Sequence, residues 1–292
     1  MSQGPTGVAA AEVAGLRQLG GRPTLPAYLR QLWRRRHFAL ELARSRFRAE
    51  NEATRLGAAW IVLRPLINAA VYGFVFGLLL PSSTRPANFL PFLVIGVFVF
   101  QYFSSCFSDG ARSIIANMGL VTTLRFPRAV LPISIVLQQT FGLLWMVAMM
   151  VLLVLISGEP PRVTWPLIVP ALFLMTLFNL GVAFIAARLT IHLRDVTQLI
   201  PFITRIIFYL SGIFFRVGNI ADGHPTIQLL LAINPVHVYI TLVRVALLGP
   251  EDIVVGAWDP LQAWLLGAAW GVGFLVVGFL YFWRAEDRYG RD

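Results

Sequence analysis

The sequence predicts an all-α integral membrane protein with six transmembrane helices, and three observations carry that expectation. Of 292 residues, 57% are hydrophobic and only 13% are charged, against about 25% charged in an ordinary soluble domain. Six apolar runs have the length of roughly 20 residues that crosses about 30 Å of hydrocarbon. The net charge of +10 is concentrated at the ends of those runs, which is the pattern of a membrane protein rather than of a nucleic-acid binder.

Residues 1–24 are rich in Ala, Gly and Pro and lack the apolar core of a signal peptide; a disordered cytoplasmic tail is expected there. Residues 25–56 read as an amphipathic interface helix. Leu25, Leu29, Leu32, Trp33, Leu40, Ala43 and Phe47 share one stripe of a 3.6-residue helix, flanked by Arg30, Arg34, Arg44 and Arg48 with Glu41 among them. The segment is too polar to span. It suits a helix in the membrane interface, with Arg towards lipid phosphates, or a helix packed on a partner, or both.

The transmembrane domain is expected over residues 57–285, with spans at 58–80, 89–107, 129–156, 165–189, 196–217 and 261–283. Pro65, Pro91, Pro132, Pro166 and Pro201 fall towards the starts of their spans, where a missing N–H costs least. Residues 286–292 form a short tail. Of the 24 basic residues, eighteen lie in the N-terminal segment, the loops after spans two and four, and the tail, whereas four lie in the opposite loops. The positive-inside rule then places both termini in the cytoplasm. The loop of 218–260 is too apolar for a plain connection. Its pieces Ile227–Ile233 and Val238–Leu248 are too short to span, so two short re-entrant helices within 219–250 are expected, forming an external gate around Asn234 and Pro235.

Several chemistries are excluded by residue type. All 24 basic residues are Arg, so the chain can have no Walker phosphate loop and no Schiff-base lysine. The single Cys106 permits neither an internal disulfide nor a thiolate metal site. The four His show no metal-ligand spacing, and no serine elbow is present. The expected spans contain no Asp or Glu, which disfavours proton-coupled transport. Arg64 and Arg205 do lie within spans. Arg64 is near enough to the end to reach the surface, while Arg205 is deeper and would suit phosphate or sugar hydroxyls in a lumen. Aromatic residues on spans one, two and five, including Tyr72, Phe76, Phe98, Tyr102, Phe208, Tyr209 and Phe215, could line a sugar path or simply pack between helices.

The stretch NMGLVTTLRFPR at 117–128, followed by Pro132, resembles the cytoplasmic segment of ABC-2 type permeases that export O-antigen, teichoic acid or capsule. LGAAW at 56–60 with Arg64-Pro65-Leu66, and LAINP at 231–235 with Arg244, are similar to further elements of that family. Where the family often has Ser-Pro late in the fifth span, this chain has Ser211-Gly212-Ile213, which puts the local kink in question. The resemblance implies a coupling helix within 109–124, with Ser113, Asn117, Gly119, Leu120, Arg125, Phe126, Pro127 and Arg128 at the contact with an ATPase. It implies an external gate built on Asn234, Pro235 and Arg244, and an interface helix carrying Leu29, Trp33, Arg34, Arg44, Phe47 and Arg48.

It further implies a homodimer with two ATPase subunits in a bacterial inner membrane. ATP and Mg²⁺ would be held by the partner, with no cofactor in this chain. The substrate would be a polyprenyl-diphosphate-linked polysaccharide; the wording of 48–60 resembles actinobacterial members that export cell-wall galactan. Membrane lipids are expected partners and nucleic acid is not. Export of a drug or lipid shares the same fold. A membrane enzyme on lipid-linked sugars would need a carboxylate or His cluster at a membrane face.

Overall fold

The computed structural model describes residues 24–52, 55–79, 88–124, 126–193, 195–215, 225–249 and 259–286. The expected tail at 1–23, Arg125, the loop at 80–87 and the tail at 287–292 lie outside them. Among the described residues every regular element is helical. Eleven α-helices are used below: α1 (Leu25–Arg34), α2 (Arg36–Glu52), α3 (Ala59–Leu79), α4 (Phe89–Arg112), α5 (Met118–Thr123), α6 (Val130–Ile156), α7 (Ile168–His192), α8 (Val196–Leu210), α9 (Pro225–Ala232), α10 (Pro235–Leu248) and α11 (Pro260–Trp283).

Among the described residues five helices are long and apolar enough to cross a membrane: α3, α4, α6, α7 with its leading turn, and α11. The pair α9–α10 is bent by 75° and would add one more as a broken span. The fifth span differs from expectation. Instead of continuing to residue 217, α8 stops at Leu210 after 15 residues. Gly212 takes φ +63, a conformation that L side chains rarely adopt, and the chain turns so that Ile213 and Phe214 enter the core. Glycine therefore breaks this helix where the resembled family often has proline. The second span differs in the other direction. It runs to Arg112, which takes Asp109 into the helix, half-buried and accepting from Gln139 Nε2 at 2.8 Å. The expectation of spans without carboxylates fails at this residue, because an amide on α6 supplies its partner.

The amphipathic segment is two helices, not one, broken at Arg35 (φ −95, ψ 10). The break rotates the predicted stripe. Leu29 and Trp33 are 44% and 70% exposed, while Tyr28 is the buried residue of α1. Leu29 and Trp33 thus point away from the rest of the chain.

Helix α4 is the central element, with all of Pro91–Phe100 buried, and it packs on α3, α6, α7, α8 and α10. The closest pair is α7–α11. A Cβ on Gly181 would lie 2.3 Å from the Phe274 carbonyl, and one on Gly278 would lie 2.3 Å from the Gly181 carbonyl. Lipid supplies no hydrophobic drive between helices, so close backbone approach over small residues is what holds them. Tyr102 adds polar contacts at the core, its hydroxyl 3.0 Å from Thr140 Oγ1 on α6 and 2.9 Å from Thr176 Oγ1 on α7.

Candidate functional site

The functional residues fall into three groups along the bundle. At the end that carries α1 and α2, the chain leaves α4 through a 3₁₀ turn (Ile115–Asn117) into α5, then runs through Phe126 and Pro127 into α6. Ala116, Gly119, Thr122, Thr123 and Leu124 are exposed, Leu120 is half-buried, and Val121 anchors the turn inward. Thr122 and Thr123 donate to the Gly119 carbonyl at 3.2 and 2.6 Å, so the short helix is closed by its own side chains and presents an outward face.

Other residues expected at this contact face inward. Ser113 is buried, and Phe126 packs on Phe38 with ring centroids 5.5 Å apart. The Arg128 side chain donates to the Glu286 carbonyl, and its backbone N–H donates to Glu286 Oε1 at 3.0 Å. Tyr28 donates to Glu286 Oε2 at 2.8 Å and accepts from the Ala129 N–H at 3.2 Å. Glu286, expected as the first residue of a tail, is instead a buried clasp joining α1, the 126–129 turn and the end of α11. A second tie comes from Arg46 on α2, which donates to Asn117 Oδ1 at 2.7 Å and to Ser134 Oγ at 3.1 Å. Burial lowers the Arg46 pKa from its ordinary value. Neither Arg46 nor Glu286 was singled out by the sequence. Arg46 is one of several Arg in that segment, and the partners of Glu286 are more than 150 residues away.

At the same end, α2, α3, α4 and α6 border a cleft of about 100 Å³. Glu50, Trp60, Arg64, Gln101, Gln138 and Gln139 line it. Gln138 Nε2 donates to Glu50 Oε2 at 2.8 Å, Gln101 Nε2 donates to Ser105 Oγ at 3.1 Å, and the Arg64 guanidinium sits 5.8 Å from the Trp60 ring centroid. Arg64 thus borders a polar recess. On the other side of α2, Arg44, Phe47, Arg48, Phe141, Leu144 and Trp145 line a groove.

The aromatic residues of spans one and five do come together. Tyr72 and Phe208 lie 5.2 Å apart, Phe76 stacks on Phe214 at 4.1 Å, and Phe214 also meets Tyr72, Phe208 and Tyr209. Phe214 is the hub and is buried, whereas Tyr209 is 51% exposed at the edge. Phe215 is half-buried behind them. Phe98 and Tyr102, expected on the substrate path, are both 1% exposed. Both lie inside the core of this chain, because α4 is surrounded on all sides, and they line no open surface. Arg205 is exposed on α8, on the same stripe as Phe202 and Tyr209.

At the opposite end stands the broken pair. Asn234 caps α10, accepting from the Val236 N–H at 3.1 Å, and donates to the Leu210 carbonyl at 3.2 Å. Pro235 opens α10 at its first position. His237 Nδ1 donates to the Ser211 carbonyl at 3.1 Å. Arg244 is 1% exposed. It donates to the carbonyls of Phe92 (2.9 and 3.1 Å), Gly212 (2.9 Å) and Ile213 (3.0 Å), and its guanidinium lies 3.3 Å from the Phe92 ring centroid. Its expected place at a gate is corrected: it is a buried staple that joins α10 to the first turn of α4 and to the broken end of α8. The unpaired carbonyls left by the break at Gly212 explain why a guanidinium is needed there.

Residues 43–248 match the family described as ABC-2 type transporter. The chain belongs to that family. It is 28% identical over 172 residues to an O-antigen export system permease protein of Klebsiella pneumoniae, covering 59% of this chain and 66% of that one. It is 26% identical over 209 residues to an O-antigen export system permease protein of Myxococcus xanthus, covering 71% and 78%. A polysialic acid transport protein of Escherichia coli is 27% identical over 171 residues, covering 57% and 65%. The chain thus spans slightly less than two thirds of the Klebsiella and Escherichia relatives it matches. The matched family region runs from α2 to α10 and includes the α5 turn, the α3–α8 aromatic cluster and the broken pair.

Proposed function

We propose that this chain is the membrane-spanning subunit of an ATP-driven exporter that moves a polyprenyl-diphosphate-linked polysaccharide out of the bacterial cytoplasm. Two copies work with two ATPase subunits, which bind ATP and Mg²⁺. Both termini lie in the cytoplasm, and the broken pair α9–α10 faces outward. The observation that carries this reading is the α5 turn. A short helix closed on itself, with Gly119 exposed and Leu120 half-buried, sits in the segment that resembles the ATPase contact of polysaccharide exporters, and it is tied by Arg46 to α2 and by Arg128 to the end of α11. A push on α5 therefore reaches two further elements of the bundle. The names of the relatives support a glycan cargo over a drug. The galactan of actinobacterial cell walls is the narrower reading.

The test is co-purification of the full chain in mild detergent from its native host. Recovery of a Walker-motif ATPase in equal amount is the expected result, and in that complex Leu120→Glu should abolish stimulation of ATP hydrolysis by the permease. A chain that elutes without any nucleotide-binding partner, even after crosslinking, would defeat the proposal.

A further inference from the structure

The end of the bundle that carries α2 has two recesses that share a wall. Phe47, edge-on to Phe141 with ring centroids 5.9 Å apart, lines both. On one side, Arg44 and Arg48 border an apolar groove formed with Leu144 and Trp145, which are 65% and 55% exposed. On the other side lies the cleft of Glu50, Trp60, Gln101 and Gln138.

Charge separates the two. The groove offers two guanidiniums, with Glu41 pairing Arg44 at 2.7 Å. The cleft sets one guanidinium, Arg64, against the Glu50 carboxylate at its wall and the Asp109 carboxylate behind Gln139. An anion is drawn to the first and opposed by the second. The cleft instead suits an uncharged, hydroxyl-rich ring. Amides and carboxylates exchange hydrogen bonds with hydroxyls, and an indole face packs against the C–H face of a sugar. Gln138 Oε1 is buried and has no hydrogen-bond partner among the described residues, so a turn of its amide towards the cleft would give that oxygen a donor it now lacks. Amide side chains inside membrane-spanning helices carry a desolvation cost that points to a role beyond packing.

We propose that groove and cleft together form one loading site for a lipid-linked glycan. The hydrocarbon lies along Leu144 and Trp145, the diphosphate meets Arg44 and Arg48, and the first sugars pass Phe47 into the cleft. This rests on the polysaccharide-export reading and adds where the cargo is first held and by which residues.

The test uses the assembled permease–ATPase complex in phosphatidylcholine nanodiscs, with equilibrium binding of three labelled probes: a polyprenol, the polyprenyl diphosphate, and the polyprenyl diphosphate bearing a disaccharide. Trp60→Ala and Gln101→Leu should each weaken only the disaccharide probe, by about tenfold, and Trp60→Phe should recover most of the loss. The pair Arg44→Ala with Arg48→Ala should weaken both diphosphate probes by about tenfold or more and leave the polyprenol unchanged. Disaccharide binding at the wild-type level in both cleft variants, with the complex eluting intact, overturns the sugar site. Equal loss of both diphosphate probes in those variants overturns it as well. Displacement of the diphosphate probe by an equal concentration of phosphatidylglycerol would assign the groove to ordinary headgroups. A wild-type complex that elutes intact but binds none of the three probes would reject the export reading itself.

Discussion

On one side of α4, α7 and α11 approach so closely that glycine is required; on the other, α3 and α8 leave most of their surface uncovered. Gly181 and Gly278 face each other's backbones, while among the described residues only Pro65 and Ala69 are buried on α3, and only Ile200 and Phe208 on α8. Both sides are apolar, so hydropathy does not separate them. The difference lies in what each helix packs against. The α7–α11 side is finished within one chain. The α3–α8 side carries Arg205 on a mostly apolar face, and an Arg at mid-bilayer costs about 2.5–3.5 kcal/mol on insertion scales. That cost is avoided when the face meets another protein surface or a water-filled path.

The sharpest way to break the comparison is to add bulk to the closed side. Gly181→Leu would put a side chain into the Phe274 carbonyl, which backbone cannot yield cheaply, and should destabilise the fold by about 3 kcal/mol or more. Phe74→Ala, at a site 71% exposed on α3, should stay within about 0.5 kcal/mol. Size-exclusion profiles in detergent should show loss of the monodisperse peak for the first variant alone; equal profiles would mean that the glycine contact carries no stability.

The Arg244 staple gives the next effect. Arg244→Met removes four buried donations and leaves the carbonyls of Phe92, Gly212 and Ile213 without that donor, a cost of about 2–5 kcal/mol. Arg244→Lys should recover little, because an ammonium cannot span the fork of acceptors. Thermal unfolding of the purified chain measures both, and full recovery by Lys would mean that charge alone suffices at that site. A smaller effect is expected at the clasp. Glu286→Gln keeps one acceptor, for Tyr28, but sets an NH2 against the Arg128 N–H, which loses its acceptor at a cost of about 1 kcal/mol or more. Faster hydrogen exchange confined to α1 and the 126–129 turn is the expected readout, and unchanged exchange there would remove Glu286 from the clasp.

How far the sequence could be read follows the same division. The starts and ends of α3, α6 and α11 lie within two residues of the expected bounds, because Pro, Ser and Gly clusters punctuate those runs. The end of α8 was not legible, since hydropathy is continuous through Gly212 and the break is a backbone event. Asp109 looked like a loop residue after Phe107; its place in α4 depends on Gln139, thirty positions away. Arg244 sat in a loop that reads as external, and its acceptors lie 31 to 152 positions away. Periodicity and composition report on single helices, whereas these features are set by pairs of them. The aromatic cluster was half legible. The residue types were visible, but only the turn at Gly212 decides that Phe214 faces Tyr72 and Phe76.

Arg205 sharpens the comparison with the smallest effect on folding and the largest on what the face is for. It is exposed on the single chain, so Arg205→Ala should change the stability of the isolated chain by no more than about 0.5 kcal/mol. If two copies meet across α3 and α8 around a polar path, the same variant should keep its assembly and lose export, seen as lipid-linked glycan accumulating in the cytoplasmic leaflet. The geometry can be read separately. Cys106 is buried and is the chain's single thiol, so Phe202→Cys introduces one exposed thiol beside Arg205. A two-fold interface places that position opposite its copy or near it, and oxidation should then give a covalent dimer in membranes. Phe173→Cys, at a 60% exposed site on α7, should not give one. Crosslinking at Phe173 but not at Phe202 would move the contact to the other side of the bundle and leave Arg205 facing lipid, where the insertion cost makes it hard to sustain.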